Sequence, residues 1–544
     1  MSSHSGRSIK KLYSRSVRAL RTSNHSDALL LTQEIIERQA DHPGAHAVQF
    51  SSLFKSKKFE LARLIGNQAA ELNPKSVFIL NNQACLELEK NNPAPAAHLL
   101  NSLIEQYGER AQWVHNLAIA YDLSGQYEKA ISLFRKTLDQ EPTHTKAARQ
   151  LAECLEKVGH FEEATQAYDY YRTINNSEAI SHSQFIHCAA ISDNISTNSL
   201  EQELALWGDK FIPKSKHYDV EDISGKKQIT IGFISTNLNY DWLKQIVIPV
   251  ANKLAEKGDR VVFYQHGNLL PLNENITNVN ANVLSDADFA RKVRSDEVNV
   301  LIDVCGMAKG NRQRALGLQL ASKQYSWLAH EGVFSTPLIN SLDQLLDQVF
   351  ITSANDTDSS EPWPDKTFAG LAGHHGLSYS VIKTWAAVLL SCPEWSLNIK
   401  TQSDSINSVQ QEQIEKLLWQ RFSASGVDRS RVTFNNQLQH DKTTIALDNF
   451  IHNDPVELSA SLLYGASVVS LEGKLFPAQR SAQLMHQFGI QEYLCESLFH
   501  FSQYATALAL GKKEMHGIKN SKKHQTELND VDAFVAKLRK EICS

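Results

Sequence analysis

Residues 116–142 read NLAIAYDLSGQYEKAISLFRKTLDQEP, and the spacing within them sets the architecture of the N-terminal third. The alanine at position 130 belongs to a series in which each step is 34 residues. The series consists of Ala28, Ala62, Ala96, Ala130 and Ala164. A period of this length is typical of helical hairpins that stack, because one such hairpin cannot bury its own apolar face. The period therefore predicts an α-solenoid of about five repeats over residues 25–175.

Other positions keep the same step and explain how the hairpins pack. They are Phe59, Tyr127 and Phe161, three residues before the alanine, and Leu100, Phe134 and Tyr168, four residues after it. Small alanines let paired helices approach closely, the larger side chains fill the space between them, and Gly125 and Gly159 turn the chain. The pattern resembles the tetratricopeptide repeat. That resemblance implies a concave groove that holds a protein client or partner, with a rigid spacer as the alternative.

The first 24 residues differ from the array in charge, because no acidic residue occurs before Asp27. Their cations are Arg7, Lys10, Lys11, Arg15, Arg18 and Arg21, with Ile9, Leu12, Val17 and Leu20 between them. This pattern predicts a basic amphipathic helix over residues 1–24. It is either a solvated helix that caps the array or a segment that docks on a membrane surface or a partner.

Length and composition exclude several classes of protein. A chain of 544 residues is too long for one hydrophobic core, and 42% hydrophobic with 21% charged residues is ordinary for a globular protein. A net charge of -5 gives no reason to expect nucleic acid. The seven cysteines form no zinc-ligand pattern, which indicates free thiols in a reducing compartment. No apolar run approaches the roughly 20 residues of a membrane span, so we expect a cytoplasmic protein.

The second half alternates short β-branched runs with helical stretches, which predicts parallel sheets with crossover helices. A junction at 176–225 precedes it. QITIGFIS, RVVFYQH, NVLIDVC, QYSWLAH and DQVFITS read as strands of a first Rossmann-like lobe at 226–353. A linker at 354–366 leads to a second lobe at 367–515, with WSLNIK, RVTFNN, IALDNFI and GASVVSLE as strands. A linker and a C-terminal helix at 516–544 complete the chain. Loops at the carboxyl ends of the strands would line a cleft between the lobes.

The order of the repeat array, IGFIST, VNVLIDVCGMAKGNRQRAL and YSWLAHEGVFSTP resembles the O-GlcNAc transferase and SPINDLY family of protein O-glycosyltransferases. LLYGASVVSLEGKLFPAQRSAQLM adds Gly465, Gly473 and Arg480 in corresponding places. The resemblance implies a GT-B-type pair of lobes that takes a sugar from a UDP- or GDP-sugar. It also implies that no metal or other cofactor is needed.

Three positions depart from what the resemblance implies. The family's lysine stands nine residues before a helical tryptophan, and counting back from Trp385 gives Gly376. The family's histidine after the first strand corresponds to Asp241. A His-Thr-Thr-Gly loop that cradles the diphosphate is replaced by residues 455–458. The catalytic residues are therefore unknown at this point.

Five residues remain as candidates for donor binding. His440, eight residues before Asp448, stands where the resemblance places a base-contacting histidine, although a solvated strand-end histidine is the alternative. His374 and His375 lie in a glycine-bounded loop and either donate to a phosphate or serve packing and solvent. Lys309 either contacts phosphate or acceptor backbone or is an ordinary surface lysine. Arg480 is the fifth.

The residues leave two main hypotheses for function. In the first, the chain is a protein-binding component of protein O-glycosylation with a degraded donor site. In the second, it is an active inverting glycosyltransferase that modifies serine or threonine of a client held by the repeats. A third alternative is that the second half is a different two-lobed enzyme. No HExxH, GxSxG or Walker-type loop provides an independent catalytic motif.

Overall fold

The computed structural model describes most of the chain. The described residues are 8–72, 76–192, 195–214, 218–220, 222–223, 225–236, 241–267, 269–328, 340–341, 366–371, 377–400, 408–435, 438, 444–451, 455–473, 479–515 and 529–543. The chain divides into two compact units, residues 1–154 and residues 155–544.

The first unit is an antiparallel stack of helices. Its helices are α1 (Ile9–Arg21), α2 (His25–Arg38), α3 (Pro43–Lys55), α4 (Phe59–Leu72), α5 (Val77–Glu89), α6 (Pro93–Tyr107), α7 (Ala111–Leu123), α8 (Tyr127–Gln140) and α9 (Thr145–Lys157), which extends past its boundary. The first four alanines of the 34-residue series lie in α2, α4, α6 and α8, and all four are fully buried. From α1 to α8 each helix packs on the next, as a solenoid requires.

Glycine makes the turn between α7 and α8 possible. Gly125 has a φ of 73°, in the left-handed region that residues with a Cβ rarely adopt. Downstream of the turn, Tyr127 and Phe134 are buried in α8. The buried aromatic side chains therefore have the role that their spacing predicts.

The second unit begins with three further helices and continues into two sheets. These helices are α10 (Phe161–Ile174), α11 (Ala179–Ala190) and α12 (Thr197–Phe211). Ala164 is fully buried in α10. Trp207, also fully buried, donates its indole N–H to the Ala179 carbonyl at 3.1 Å and so ties α12 to the start of α11.

The first sheet is parallel throughout and has the strand order β3-β2-β1-β4-β5-β6. Its strands are β1 (Thr230–Ser235), β2 (Arg260–Gln265), β3 (Ile276–Asn280), β4 (Val300–Asp303), β5 (Lys323–Ser326) and β6 (Asn340–Ser341). The accompanying helices are α13 (Asp241–Glu256), α14 (Asp286–Ser295) and α15 (Gln313–Leu316). This order is that of a dinucleotide-binding Rossmann fold, whose ligands bind outside the carboxyl ends of the strands.

The second sheet repeats the topology, with the order β12-β11-β10-β7-β8-β9. Its strands are β7 (Thr367–Leu371), β8 (Ser396–Lys400), β9 (Val432–Asn435), β10 (Ile445–Asp448), β11 (Ser467–Leu471) and β12 (Leu494–Cys495). Its helices are α16 (Tyr379–Ser391), α17 (Ser408–Ala424), α18 (Pro455–Leu463), α19 (Arg480–Gln487) and α20 (Leu498–Ala509). Gly370 leaves room for the Trp385 ring, since a Cβ there would lie 2.8 Å from it.

The last helix, α21 (Val531–Cys543), packs on α13 of the first lobe. Its Phe534 ring stacks on Trp327 with 5.7 Å between ring centroids. Asp532 forms ion pairs with Lys253 at 3.1 Å and Lys257 at 2.9 Å. The chain therefore returns from the second lobe to the first.

The predicted fold class is confirmed: an α-solenoid precedes two Rossmann-like lobes. Four strands went unpredicted: β3 with its polar sequence ITNVN, β7 with the short sequence TFAGL, and the two-residue strands β6 and β12. The strand predicted for DQVFITS and residues 354–365 of the predicted linker lie outside the described residues. None of the helices in the described ranges combines the length and apolar character that a bilayer crossing needs.

Candidate functional site

The carboxyl edge of the first sheet ends in polar side chains. β1, β2, β4 and β5 terminate in Ser235, Gln265, Asp303 and Ser326. Asp303 is 1% exposed, and its carboxylate accepts hydrogen bonds from the backbone of Cys305 at 3.0 Å and from Gln313 Nε2 at 2.6 Å. Its role is therefore to shape the turn that follows β4, because its oxygens are occupied by that turn.

Two glycines allow the turn after β4. Gly306 and Gly310 have φ values of 57° and 86°, and a Cβ on Gly310 would lie 2.4 Å from the His266 ring. Gly306 also donates its N–H to Asp303 at 3.2 Å. Residues 306–310 are therefore a compact turn at the sheet edge, packed against His266 after the end of β2.

Lys309 projects from this turn and is exposed. Burial, followed by the positive charges of Arg312 and Lys309, lowers the pKa of His266. His266 is therefore a neutral imidazole near neutral pH. Arg312 is buried and donates to the Ala281 carbonyl at 2.7 Å and to Asp286 at 3.1 Å. Of the two cations on this segment, Lys309 is the one that a ligand in solvent can reach.

Cys305 lies at the same edge and is a poor nucleophile. Its side chain is buried, and desolvation together with Asp303 raises the pKa of the thiol well above its usual range. A thiol that stays protonated at neutral pH neither attacks an electrophile nor binds a metal readily.

The corresponding edge of the second sheet also carries a buried carboxylate. Asp448 ends β10, is fully buried, and accepts a hydrogen bond from Ser470 Oγ on neighbouring β11 at 2.6 Å. Asn449 follows, also fully buried, and accepts from the backbone N–H of Ile451 at 3.0 Å. The first hydrogen bond joins β10 to β11, and the second stabilises the turn at residues 449–451.

The first turn of α18 occupies the place where the resemblance puts the diphosphate cradle. Pro455 begins the helix and is buried. Val456 and Leu458 are also buried and belong to an apolar cluster that extends through both lobes. Glu457 lies between them and forms an ion pair with Lys400 at the end of β8. This helix terminus therefore combines a residue without an N–H, two packed apolar side chains and a carboxylate.

Arg480 begins α19 and is 2% exposed. Its Nη2 donates to the Leu328 carbonyl at 2.8 Å, which joins the second lobe to the residue just beyond β5 of the first. Leu328 has a φ of 60°, an uncommon conformation for a residue with a Cβ. The Arg480 guanidinium therefore links the two lobes and stabilises the backbone of Leu328 in its left-handed conformation.

The structure gives no side-chain positions for the remaining site candidates. His374, His375, Gly376 and His440 are outside the described residues. Asp241 begins α13, and nothing is described of its side chain. Lys309 lies in the turn after β4 and Arg480 at the start of α19, and donor binding by any of the five candidates stays a prediction.

Comparisons with known proteins support this architecture. Two tetratricopeptide-repeat family models match, over residues 81–145 and 123–170. A mutant O-GlcNAc transferase of Thermobaculum terrenum aligns with a TM-score of 0.68 and 16% identity, covering 85% of this chain and 95% of that one. The chain has tetratricopeptide repeats and the fold of an O-GlcNAc transferase.

Other solved structures match a smaller share of this chain. Pseudomonas aeruginosa PilF has 19% identity and a TM-score of 0.33, covering 37% of this chain and 90% of its own. MamA from Desulfovibrio magneticus RS-1 has 19% identity and a TM-score of 0.29, covering 32% and 98%. No curated protein matches the sequence significantly.

A row of amide side chains in the tetratricopeptide array was not predicted. Asn82, Asn116 and Gln150 follow the 34-residue step on α5, α7 and α9, the first helices of successive hairpins. Asn82 donates to Ser51 at 3.1 Å, and Gln150 Oε1 lies 2.6 Å from His115 Nε2. The signal for this row is the 34-residue period itself, which Asn82, Asn116 and Gln150 share with the alanine series.

His115 makes the array sensitive to acid. Burial lowers its pKa from 6.5 to about 4, which outweighs the opposing hydrogen bond to Gln150. Between these two values the unfolded chain binds a proton that the folded array does not, so stability falls as the pH falls from 6.5 towards 4. The expected loss between pH 7 and pH 4.5 is about 2 kcal/mol.

Histidine-selective NMR tests this value. The resonance that disappears in His115→Gln should titrate in the intact chain with a pKa about two units below that of an exposed histidine. An ordinary value near that of free histidine would show that the ring is solvated and would remove the predicted acid sensitivity.

Proposed function

We propose that this chain is a protein-binding component of protein O-glycosylation whose transferase-like half has a degraded donor site. The first turn of α18 is the observation that carries the proposal. A sugar nucleotide leaves its diphosphate behind, and transferases of this architecture stabilise that group with helix amino-terminal amides, hydroxyls and a cation.

The chemistry of this turn disfavours a diphosphate in three ways. Pro455 supplies no N–H where a donor is wanted. The side chains of Val456 and Leu458 are packed into the apolar core and offer no hydroxyl. Glu457 places a carboxylate in the first turn, where it satisfies the positive end of the helix dipole.

Lys400 does not compensate for these changes. Its ammonium group pairs with Glu457, so its charge is already neutralised beside the helix terminus. The family's lysine position is Gly376 in this sequence, which contributes no charge of its own. We therefore assign no catalytic residue and no resident cofactor. A UDP- or GDP-sugar would be a substrate, and we expect weak binding at most.

The repeat array supplies the binding function in this proposal. Asn82, Asn116 and Gln150 recur at 34-residue intervals on α5, α7 and α9, where each already makes a hydrogen bond inside the array. An amide side chain both donates and accepts hydrogen bonds, which suits the backbone of an extended polypeptide. We propose that the partner is a protein held by these helices, with the cytoplasm as the setting.

A transfer assay tests the proposal. The full chain, incubated with co-expressed partner proteins and labelled UDP- and GDP-sugars, should leave the partners unlabelled. An active O-GlcNAc transferase with its own acceptor provides the positive control. The variant Glu457→Gln should also be inactive, because Pro455 still lacks an N–H donor. Label on a serine or threonine of the partner would refute the proposal and establish the alternative of an active inverting transferase.

A further inference from the structure

The exposed face of α1 is strongly basic. Its five cations are Lys10, Lys11, Arg15, Arg18 and Arg21, and all five are exposed. At 100° per residue they fall within one arc of the helix, which is about 20 Å long for its 13 residues. No acidic residue occurs in α1, so the face carries one sign of charge along its length.

The opposite face of α1 is already used inside the array. Leu12, Ser16 and Ala19 are buried, and the helix packs on α2 and α3. The apolar residues that would insert an isolated amphipathic helix into lipid are therefore unavailable. Any ligand of this helix must be recognised through charge.

The five cations have no acidic partner among the described residues. In contrast, Arg38 on neighbouring α2 pairs with Glu34, and Arg63 on α4 pairs with Glu60. Residues 1–66 contain eleven lysines and arginines and five acidic residues, although the whole chain has a net charge of -5. Positive charge is therefore concentrated at this end of the array.

We propose that the basic face of α1 docks the repeat array on an anionic membrane surface. Mobile lipid head groups can match five charges spread over such a surface at once, and clusters of four to eight basic residues on a helix are typical of binding to acidic lipids. The inference does not depend on whether the interlobe cleft binds a sugar nucleotide.

Vesicle flotation with the full chain tests the proposal. The protein should float with phosphatidylcholine vesicles that contain about 30% phosphatidylserine and should remain unbound with phosphatidylcholine alone. Because contact is electrostatic, binding should be lost at about 0.5 M salt. The triple variant Lys11→Gln, Arg15→Gln, Arg18→Gln should bind roughly 100-fold more weakly, at roughly five-fold per cation.

Two further variants separate charge on α1 from other effects. Replacement of the exposed residues Lys416, Lys512 and Lys540 by glutamine removes the same total charge and should leave vesicle binding unchanged. Arg15→Lys with Arg18→Lys keeps the charge and should also bind normally. Equal loss in both triple variants, or binding to polyglutamate but not to acidic vesicles, would overturn the proposal.

Discussion

Replacing Arg480 by alanine is expected to destabilise the two-lobed half by about 3 kcal/mol. The substitution removes a charged donor from the Leu328 carbonyl, which lies 2.8 Å from Arg480 Nη2, and leaves a cavity where the buried side chain was. It also releases Leu328 from the contact that accompanies its positive φ. Hydrogen exchange should therefore accelerate in two places at once, after β5 and at the start of α19.

The matched control for this variant is Arg429→Ala. Arg429 is exposed and lies in a short 3₁₀ turn before β9, so its loss should change stability by less than about 0.5 kcal/mol. Arg480→Lys should be intermediate, because an ammonium group donates to a carbonyl without the planar fork of arginine. A stable Arg480→Ala protein with altered nucleotide binding would instead make Arg480 a donor ligand.

The repeat array could be predicted because its period is a property of the chain itself. Each alanine of the series is fully buried, from Ala28 to Ala164, since the same packing problem recurs in every hairpin. Gly125 could be placed in a turn for the same reason, because its interval to Ala130 repeats between Gly159 and Ala164. The period of the sequence was therefore enough to predict which residues are buried and where the chain turns.

The sequence predicted two parallel sheets but did not predict every strand in them. β3 lies at the edge of its sheet, and Ile276 is its buried residue. Its sequence therefore lacks the alternation of apolar and polar residues that predicts a strand. β7 is central and fully buried, yet it contains Ala369 and Gly370 in place of the β-branched residues that usually mark such strands. Gly370 is explained by the Trp385 ring, a contact between residues on different elements.

The site was less accessible to sequence reasoning than the fold. Arg480 was a donor-binding candidate because of its position in a family-like segment. Its partner Leu328 is 152 residues away, and only the packing of one lobe on the other shows that contact. The ion pair between Glu457 and Lys400 likewise joins a helix start to the end of a separate strand. Tertiary contacts of this kind leave no periodic trace in the chain.

Nucleotide binding is the property that most separates the two accounts of the second half. In the proposal, Pro455, Glu457 and the glycine at position 376 stand where the resemblance puts groups that contact the diphosphate, so their effects on nucleotide binding should reinforce one another. Each lost hydrogen bond to a charged group weakens binding by about 1.5–3 kcal/mol, and two or three such losses move a micromolar site into the millimolar range or beyond.

Isothermal titration of the intact chain with UDP and with GDP measures this property directly. Neither nucleotide should bind with a dissociation constant below about 1 mM, whereas an active O-GlcNAc transferase titrated in parallel should bind UDP in the micromolar range. Micromolar binding of either nucleotide to this chain, lost on addition of the matching sugar nucleotide as competitor, would contradict the proposal of a degraded donor site.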